Sequence, residues 1–207
     1  VLVTGASYGI GAATALAFAR NGYDVAVTAT RIENLSAITQ ELADLDVRVV
    51  PLALDLCSQA SIERAMAETT GRLGKVDVLV NNAGANLRKR AVDVTAAEWD
   101  MLIATNLTGT FFMTQQMGRH LVGSKRQGCI ISIASTNGVV GVAERSTYGI
   151  SKAAISHMTR MLAIEWAEHG IRVNAVAPGR VDTASPSRAA TAADPNYMQA
   201  MLNRIPL

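Results

Sequence analysis

Residues 1–19, VLVTGASYGIGAATALAFA, run from an apolar, β-branched segment through three glycines into apolar positions at helical spacing. The order is strand, glycine-rich turn, helix. Gly5, Gly9 and Gly11 stand in a G-x-x-x-G-x-G spacing, not the more familiar G-x-G-x-x-G. The physical need for small residues is the same in both. Without side chains the backbone comes close to a pyrophosphate, and the free N–H groups of the helix start face that anion. Ser7 adds a hydroxyl donor, and Ile10 opens the helix between the last two glycines. The competing reading is a tight strand-to-helix turn that binds nothing.

The rest of the chain repeats the alternation. Strand-like runs at 1–4, 25–29, 47–52, 76–80, 128–133 and 171–176 are separated by helical patterns near 9–21, 32–44, 59–72, 96–121 and 147–168. VDVLV (76–80) and CIISI (129–133) are apolar on both alternating faces, as in a parallel sheet covered by helices on both sides. The pattern predicts an α/β fold, a Rossmann-like doubly wound parallel sheet of six strands with right-handed crossovers. With no repeat or linker, 1–207 is expected to form a single domain. Its weakly periodic end, 183–207, is expected to be a mobile substrate-side segment with one short helix near 195–203.

Composition excludes several classes. Of 207 residues 49% are hydrophobic and 17% charged, and the net charge of +2 is too small to argue for a nucleic-acid partner. No apolar run approaches the roughly 18 residues a membrane helix needs. Cys57 and Cys129 have no disulfide or metal spacing, so both are expected as buried thiols in a reducing compartment. The chain starts without methionine inside an apolar run and stops on NRIPL, so both ends are read as open to trimming, with a cytoplasmic location as the default. His120 and His157 lack Cys or carboxylate companions at ligand spacing and His169 precedes a helix-ending glycine, so all three are expected to be structural and no metal is expected; Trp99 and Trp166 are expected as packing anchors.

The second strand bears on the choice of dinucleotide. NAD readers usually end it with an acidic residue, about 20 positions after the glycines, that binds the ribose hydroxyls. Here Ala29 and Thr30 stand at that place and Arg31 follows. A guanidinium suits a 2′-phosphate, so NADP(H) is expected over NAD(H), against the alternative that Arg31 merely opens a solvated helix.

In STYGISK (146–152), Tyr148 and Lys152 are four apart and share one helix face. A free phenol titrates near pH 10, and a nearby ammonium favours its ionised form, so the pair makes sense as an acid/base. In isolation the plainer reading is the better one, two amphipathic side chains covering a helix. Its company weighs against that. LVNNAGA (79–85) ends the fourth strand, NLTGTFF puts Asn106 within a helical stretch, IISIASTNG puts Ser135 just past the fifth strand, and VNAVAPGRVDT leaves the sixth through Pro178 and Gly179. These positions follow strands at the carboxyl edge, where open α/β sheets bind ligands.

Thr4–Gly11 (T-G-x-x-x-G-x-G), Asn81–Gly84 (N-N-A-G) and the tetrad Asn106, Ser135, Tyr148 and Lys152 make the chain resemble the short-chain dehydrogenase/reductase family over essentially its whole length. That resemblance implies strand order 3-2-1-4-5-6, with the family's seventh strand missing from this chain. It implies that Tyr148 exchanges a proton with the substrate oxygen and Ser135 holds that oxygen. Lys152 would lower the tyrosine pKa and bind the nicotinamide ribose, and Asn106 would keep a water in a proton relay. Asp55 and Leu56 would contact adenine, Asn82, Ala83 and Gly84 would line the cofactor cleft, and Val181 and Thr183 would meet the carboxamide. The reaction implied is NAD(P)-dependent hydride transfer to or from a ketone or secondary alcohol, as part of a homotetramer or homodimer packed through the helices near 96–121 and 147–168. The apolar surfaces FFMTQQM (111–117) and MTRMLAIEWA (158–167) suit such packing.

For the substrate, Arg88, Lys89 and Arg90 near the rim favour a sugar, sugar acid or polyol, with a 3-oxoacyl ketoreductase as the alternative and a solvated charge run as the plainer reading. Arg145 and Arg188 are further candidates for an anionic group. A non-catalytic dinucleotide sensor and a methyltransferase-like protein are the competing classes; neither explains Ser135, Tyr148 and Lys152 together.

Overall fold

A computed structural model of the chain describes residues 1–183, so the helix expected near 195–203, Arg188 and nearly all of segment 183–207 lie outside the described residues. Six strands, β1 (Leu2–Val3), β2 (Val25–Ala29), β3 (Val49–Ala53), β4 (Val78–Asn81), β5 (Gly128–Ile133) and β6 (Ile171–Val176), form one parallel sheet in the order β3-β2-β1-β4-β5-β6. The order reverses between β1 and β4, where Leu2 lies opposite Ala26 on one side and Leu79 on the other. That reversal opens a crevice at the carboxyl ends of the strands.

Helices α1 (Gly9–Arg20), α2 (Ser36–Ala43), α3 (Gln59–Leu73), α4 (Ala96–Ile103), α5 (Thr110–Gly123) and α6 (Ser146–Glu165) cover the sheet. Successive strand residues point to opposite faces. Leu2, Ala26, Leu79 and Ile130 therefore join Ile62 and Met66 of α3, Met113, Met117 and Leu121 of α5 and Leu162 of α6 in one cluster. Val3, Val27 and Val80 join Ala15 and Ala19 of α1 and Ile38 and Leu42 of α2 in the other. Double-sided burial is why the strands carry unbroken apolar runs. At the edge, β6 alternates buried Ile171 and Val173 with exposed Arg172 and Asn174.

Three expectations need correction. The helix expected over 96–121 is two helices joined by a π-helical turn, Ala104–Gly109. Hydrophobic periodicity does not report one extra residue in a turn. Cys129 is buried but Cys57 is exposed, because it lies in the turn after β3, with Sγ 3.3 Å from Thr105 Oγ1. Trp166 packs against the core and crowds Gly118 of α5, whereas Trp99 is exposed and joins neither cluster. Among the described residues no helix is long and apolar enough to cross a membrane, and no three His, Cys, Asp or Glu side chains gather to hold a metal ion.

Candidate active site

A cleft of about 730 Å³ runs along the carboxyl edge of the sheet. Of the residues singled out from sequence, Gly5, Ser7, Gly9, Ile10, Thr30, Asp55, Leu56, Asn82, Ala83, Gly84, Tyr148, Lys152 and Thr183 line it. Gly11, Asn106 and Ser135 are not among its lining residues, and Asn106 and Ser135 are buried. Arg31 is exposed and lies outside it; Val181 lines a neighbouring groove of about 700 Å³ along α1 together with Thr183. Pro178 and Gly179 meet the Ser135 turn, where the Pro178 carbonyl accepts from Thr136 N at 3.1 Å. Sequence reasoning missed Thr28, Asn34, Asn86, Thr105 and Ile133, which also line the cleft. Thr28 and Ile133 lie at the carboxyl ends of β2 and β5, and Asn86 lies in the loop that leaves β4, so the carboxyl-edge rule was the available signal.

The glycine turn is built onto β4. Thr4 Oγ1 accepts from Asn82 N and Ala83 N at 3.0 and 3.1 Å, and Asn82 Nδ2 donates to the carbonyls of Thr4 and Gly5 at 3.0 and 2.7 Å. This ties the turn to the NNAG segment across the switch point. Gly5 has φ +64°, and a Cβ on Gly11 would lie 2.3 Å from the Gly5 carbonyl and 2.4 Å from Asn82 Nδ2. Two of the three glycines thus serve protein packing beneath the turn as well as ligand approach. No side chain caps α1, whose first residues Gly9 and Ile10 line the cleft. The cradle fits a dinucleotide pyrophosphate in both shape and donor set.

At the other end, Lys152 Nζ stands over the Tyr148 ring, 5.8 Å from its centroid. It donates to the Ile133 carbonyl at 2.6 Å, and burial lowers its pKa from 10.5 to about 8. Asn106 is 1% exposed and sits in the π turn. Its Oδ1 accepts from Ala85 N at 2.7 Å, and its Nδ2 donates to the Ala85 carbonyl at 2.9 Å and to Ser151 Oγ at 3.1 Å. Ser151 Oγ in turn donates to the Tyr148 carbonyl at 2.8 Å. Ser135 caps a short 3₁₀ turn, Thr136–Gly138, with Oγ accepting from Asn137 N at 3.1 Å. Its own proton is thereby left to donate elsewhere.

A family model for short chain dehydrogenases matches residues 1–193. The chain belongs to the short chain dehydrogenase family. Sorbitol dehydrogenase of Cereibacter sphaeroides is 40% identical over 181 residues, covering 87% of this chain and 70% of that one. The 3-oxoacyl-[acyl-carrier-protein] reductase FabG of Thermotoga maritima is 35% identical over 206 residues, covering 100% and 82%. A solved structure of a putative short-chain alcohol dehydrogenase from Sinorhizobium meliloti superposes with TM-score 0.94 at 40% identity, covering 99% of this chain and 80% of that one. This short chain dehydrogenase is accordingly an oxidoreductase acting on CH–OH or C=O groups.

Within the dehydrogenase, two further glycines join the parts of the site. A Cβ on Gly138 would lie 2.8 Å from Ala153 N and from the Lys152 carbonyl carbon, and one on Gly149 would lie 2.8 Å from the Asn137 carbonyl oxygen. The Ser135 turn thus packs backbone to backbone on the helix that carries Tyr148 and Lys152. The basic run at the rim is engaged locally: Arg88 with Glu144 at 2.7 Å, Lys89 with Glu98 at 2.8 Å and Arg90 with Asp93 at 2.6 Å. Arg145 donates to the Asn86 side-chain carbonyl.

Proposed function

We propose that this short chain dehydrogenase moves a hydride between NADP(H) and the carbinol carbon of a polyol or sugar, with Tyr148 exchanging the proton at the oxygen. The observation that carries this reading is the buried Lys152 ammonium 5.8 Å from the centre of the Tyr148 ring, in the same cleft as the glycine cradle. Gly5, Ser7, Gly9, Ile10 and the packing glycine Gly11 would hold the pyrophosphate; Thr30, Arg31 and Asn34 would meet the 2′-phosphate. Asp55 and Leu56 would hold adenine, Asn82, Ala83, Gly84 and Lys152 the nicotinamide ribose, and Pro178, Gly179, Val181 and Thr183 the carboxamide end. When bound, the nicotinamide supplies or accepts the hydride.

The chain's own residues manage the oxygen. In the reducing direction the Tyr148 hydroxyl gives its proton to the carbonyl oxygen, and in the oxidising direction Tyr148 takes it back. Ser135, whose oxygen already accepts from Asn137 N, donates its hydroxyl proton to the same oxygen and fixes its position. Lys152 sets a positive charge where phenolate character develops. Asn106, with both ends of its amide on Ala85 and Ser151, braces the cleft wall against α6; a relay water reaching Lys152 is compatible with this.

The likeness to sorbitol dehydrogenase favours a polyol or sugar. The local ion pairs of Arg88, Lys89 and Arg90 weaken the case for an acidic sugar. A 3-oxoacyl substrate is the second reading, favoured by the match to the FabG reductase along the full chain. A dimer or tetramer is supported by exposed Met161 and Ile164 on α6 and Met101 and Phe111 on α4 and α5. The test is a panel of polyols, sugars, sugar acids and 3-oxoacyl thioesters, followed by nicotinamide absorbance with both dinucleotides. On the best substrate, Tyr148→Phe is expected to lose about 10²–10⁴-fold in kcat or more while dinucleotide binding persists. Turnover near wild type in that variant would remove the proposed proton donor.

A further inference from the structure

Glu144 is one of two non-glycine residues with positive φ among the described residues, at +63°. L-residues rarely adopt this conformation, and it persists where surrounding contacts impose it. Here the contacts come from the segment that leaves β4. Lys89 N donates to the Glu144 carbonyl at 2.9 Å, and Arg88 Nε donates to the Glu144 carboxylate at 2.7 Å. The next residue, Arg145, donates to the side chain of Asn86, which itself lines the cleft. The Arg145 carbonyl then accepts from Gly149 N at 2.7 Å, at the very start of α6. Tyr148 lies within that first turn. The far end of the strap is held as well, since Lys89 Nζ bonds both carboxylate oxygens of Glu98 in the α4 cap, each at 2.8 Å. By contrast, the loop just before the clamp is loosely covered, with Val139 and Val140 78% and 61% exposed.

We propose that Glu144 is a positioning residue, clamped through Arg88 and the Lys89 backbone, that sets the entry of α6 and so the placement of the Tyr148 hydroxyl over the cleft. The inference rests on the reading of Tyr148 as proton donor. It also gives Arg88 and Lys89 of the basic run a purpose: these two cations strap the rim to Glu144 and to α4, whatever the substrate's charge. The Arg88–Glu144 pair is itself 45% and 38% exposed, so it adds little to global stability. Its effect should therefore show in turnover and not in unfolding.

The experiment compares Glu144→Ala, Arg88→Ala, the double variant and the charge-exchanged pair Arg88→Glu with Glu144→Arg, in the full chain. Each reads kcat and KM on the best substrate, NADP(H) affinity by fluorescence, and the thermal midpoint. Each single variant is expected to lose about tenfold in kcat, since ångström-scale misplacement of a reacting group is enough for such a loss. Dinucleotide affinity and midpoint stay unchanged, the double is no worse than either single, and the exchanged pair recovers most of the loss. Wild-type kcat in both single variants overturns the proposal. So does a kcat loss that tracks a falling midpoint, which is the mark of a merely structural residue. Tyr148→Phe assayed in parallel separates the two claims: if it turns over, the proton-transfer reading fails; if it is inactive, the Glu144 result stands alone.

Discussion

The contact between the Ser135 turn and α6 allows a quantitative test. Gly138→Ala places a Cβ 2.8 Å from two backbone atoms of Lys152 and Ala153, whereas ordinary contact begins near 3.4 Å. Backbone cannot swing aside as a side-chain tip does, so the turn and the helix must separate by about 0.6 Å, the difference between those two distances. Ser135 caps that turn, and Tyr148 and Lys152 ride on the helix, so the displacement falls between the proposed oxygen holder and the proposed proton donor. A misplacement of about 1 Å costs about a hundredfold in rate. Scaled to this shift, kcat should fall about tenfold to twentyfold. Overpacking of this kind destabilises by about 1–3 kcal/mol. The glycine cradle belongs to the other end of the cleft and only the nicotinamide end is disturbed, so the dissociation constant for NADP(H) should change far less than kcat. The control is Gly141→Ala in the same loop, where a Cβ would meet nothing within 4 Å. Steady-state kcat at saturation, dinucleotide titration and urea unfolding complete the assay. A wild-type kcat for Gly138→Ala, or an equal loss for Gly141→Ala, would refute the geometric reasoning.

Two further outcomes are expected. Lys152 titrates near 10.5 when unfolded and near 8 when folded, a difference worth roughly 3 kcal/mol. Below pH 8 both states hold the proton and the fold bears the whole cost of burying the ammonium; between about 8 and 10.5 the unfolded chain binds the extra proton, so stability rises with pH. Lys152→Met should therefore abolish turnover yet stabilise the free protein at pH 7, by up to roughly 3 kcal/mol, and by less at pH 9.5; denaturant midpoints at both pH values decide it, and a less stable variant at pH 7 counts against the account. Arg31→Ala should raise KM for NADPH about tenfold, the worth of one charge-assisted hydrogen bond, and leave NADH untouched; a wild-type preference for NADH in kcat/KM would overturn the assignment of that side chain.

The sheet was legible because strands buried on both faces must be apolar throughout, and because turn glycines mark where the chain changes element. β2, β5 and β6 fall on the bounds that their β-branched runs suggest. The glycine turn, NNAG and the Tyr–Lys pair were legible because each follows a strand or heads a helix, and such ends converge at one edge. What remained hidden depends on contacts between distant segments. Nothing in STNG announces that Gly138 must touch the Lys152 backbone 14 residues later, nor in AER that Glu144 adopts positive φ. Cys57 shows the same limit from the other side. Its neighbours Leu54 and Leu56 are buried, yet the turn after Asp55 carries the thiol outward. Arg31 is a local signal whose exposed side chain does not line the cleft.

The π turn at Ala104–Gly109 has a consequence for how the sequence can change. A regular helix advances about 100° per residue, so one residue of surplus winding resets the azimuth of everything downstream. Thr105 reaches the cleft, Asn106 reaches Ala85 and Ser151, and Gly109 presses on Leu56, all within this single widened turn. Deleting one residue there would let α4 and α5 fuse into one straight helix with a better hydrogen-bond ladder, while swinging the Asn106 amide away from the wall it braces. Such a one-residue deletion is expected to give a more regular helix and a less active protein.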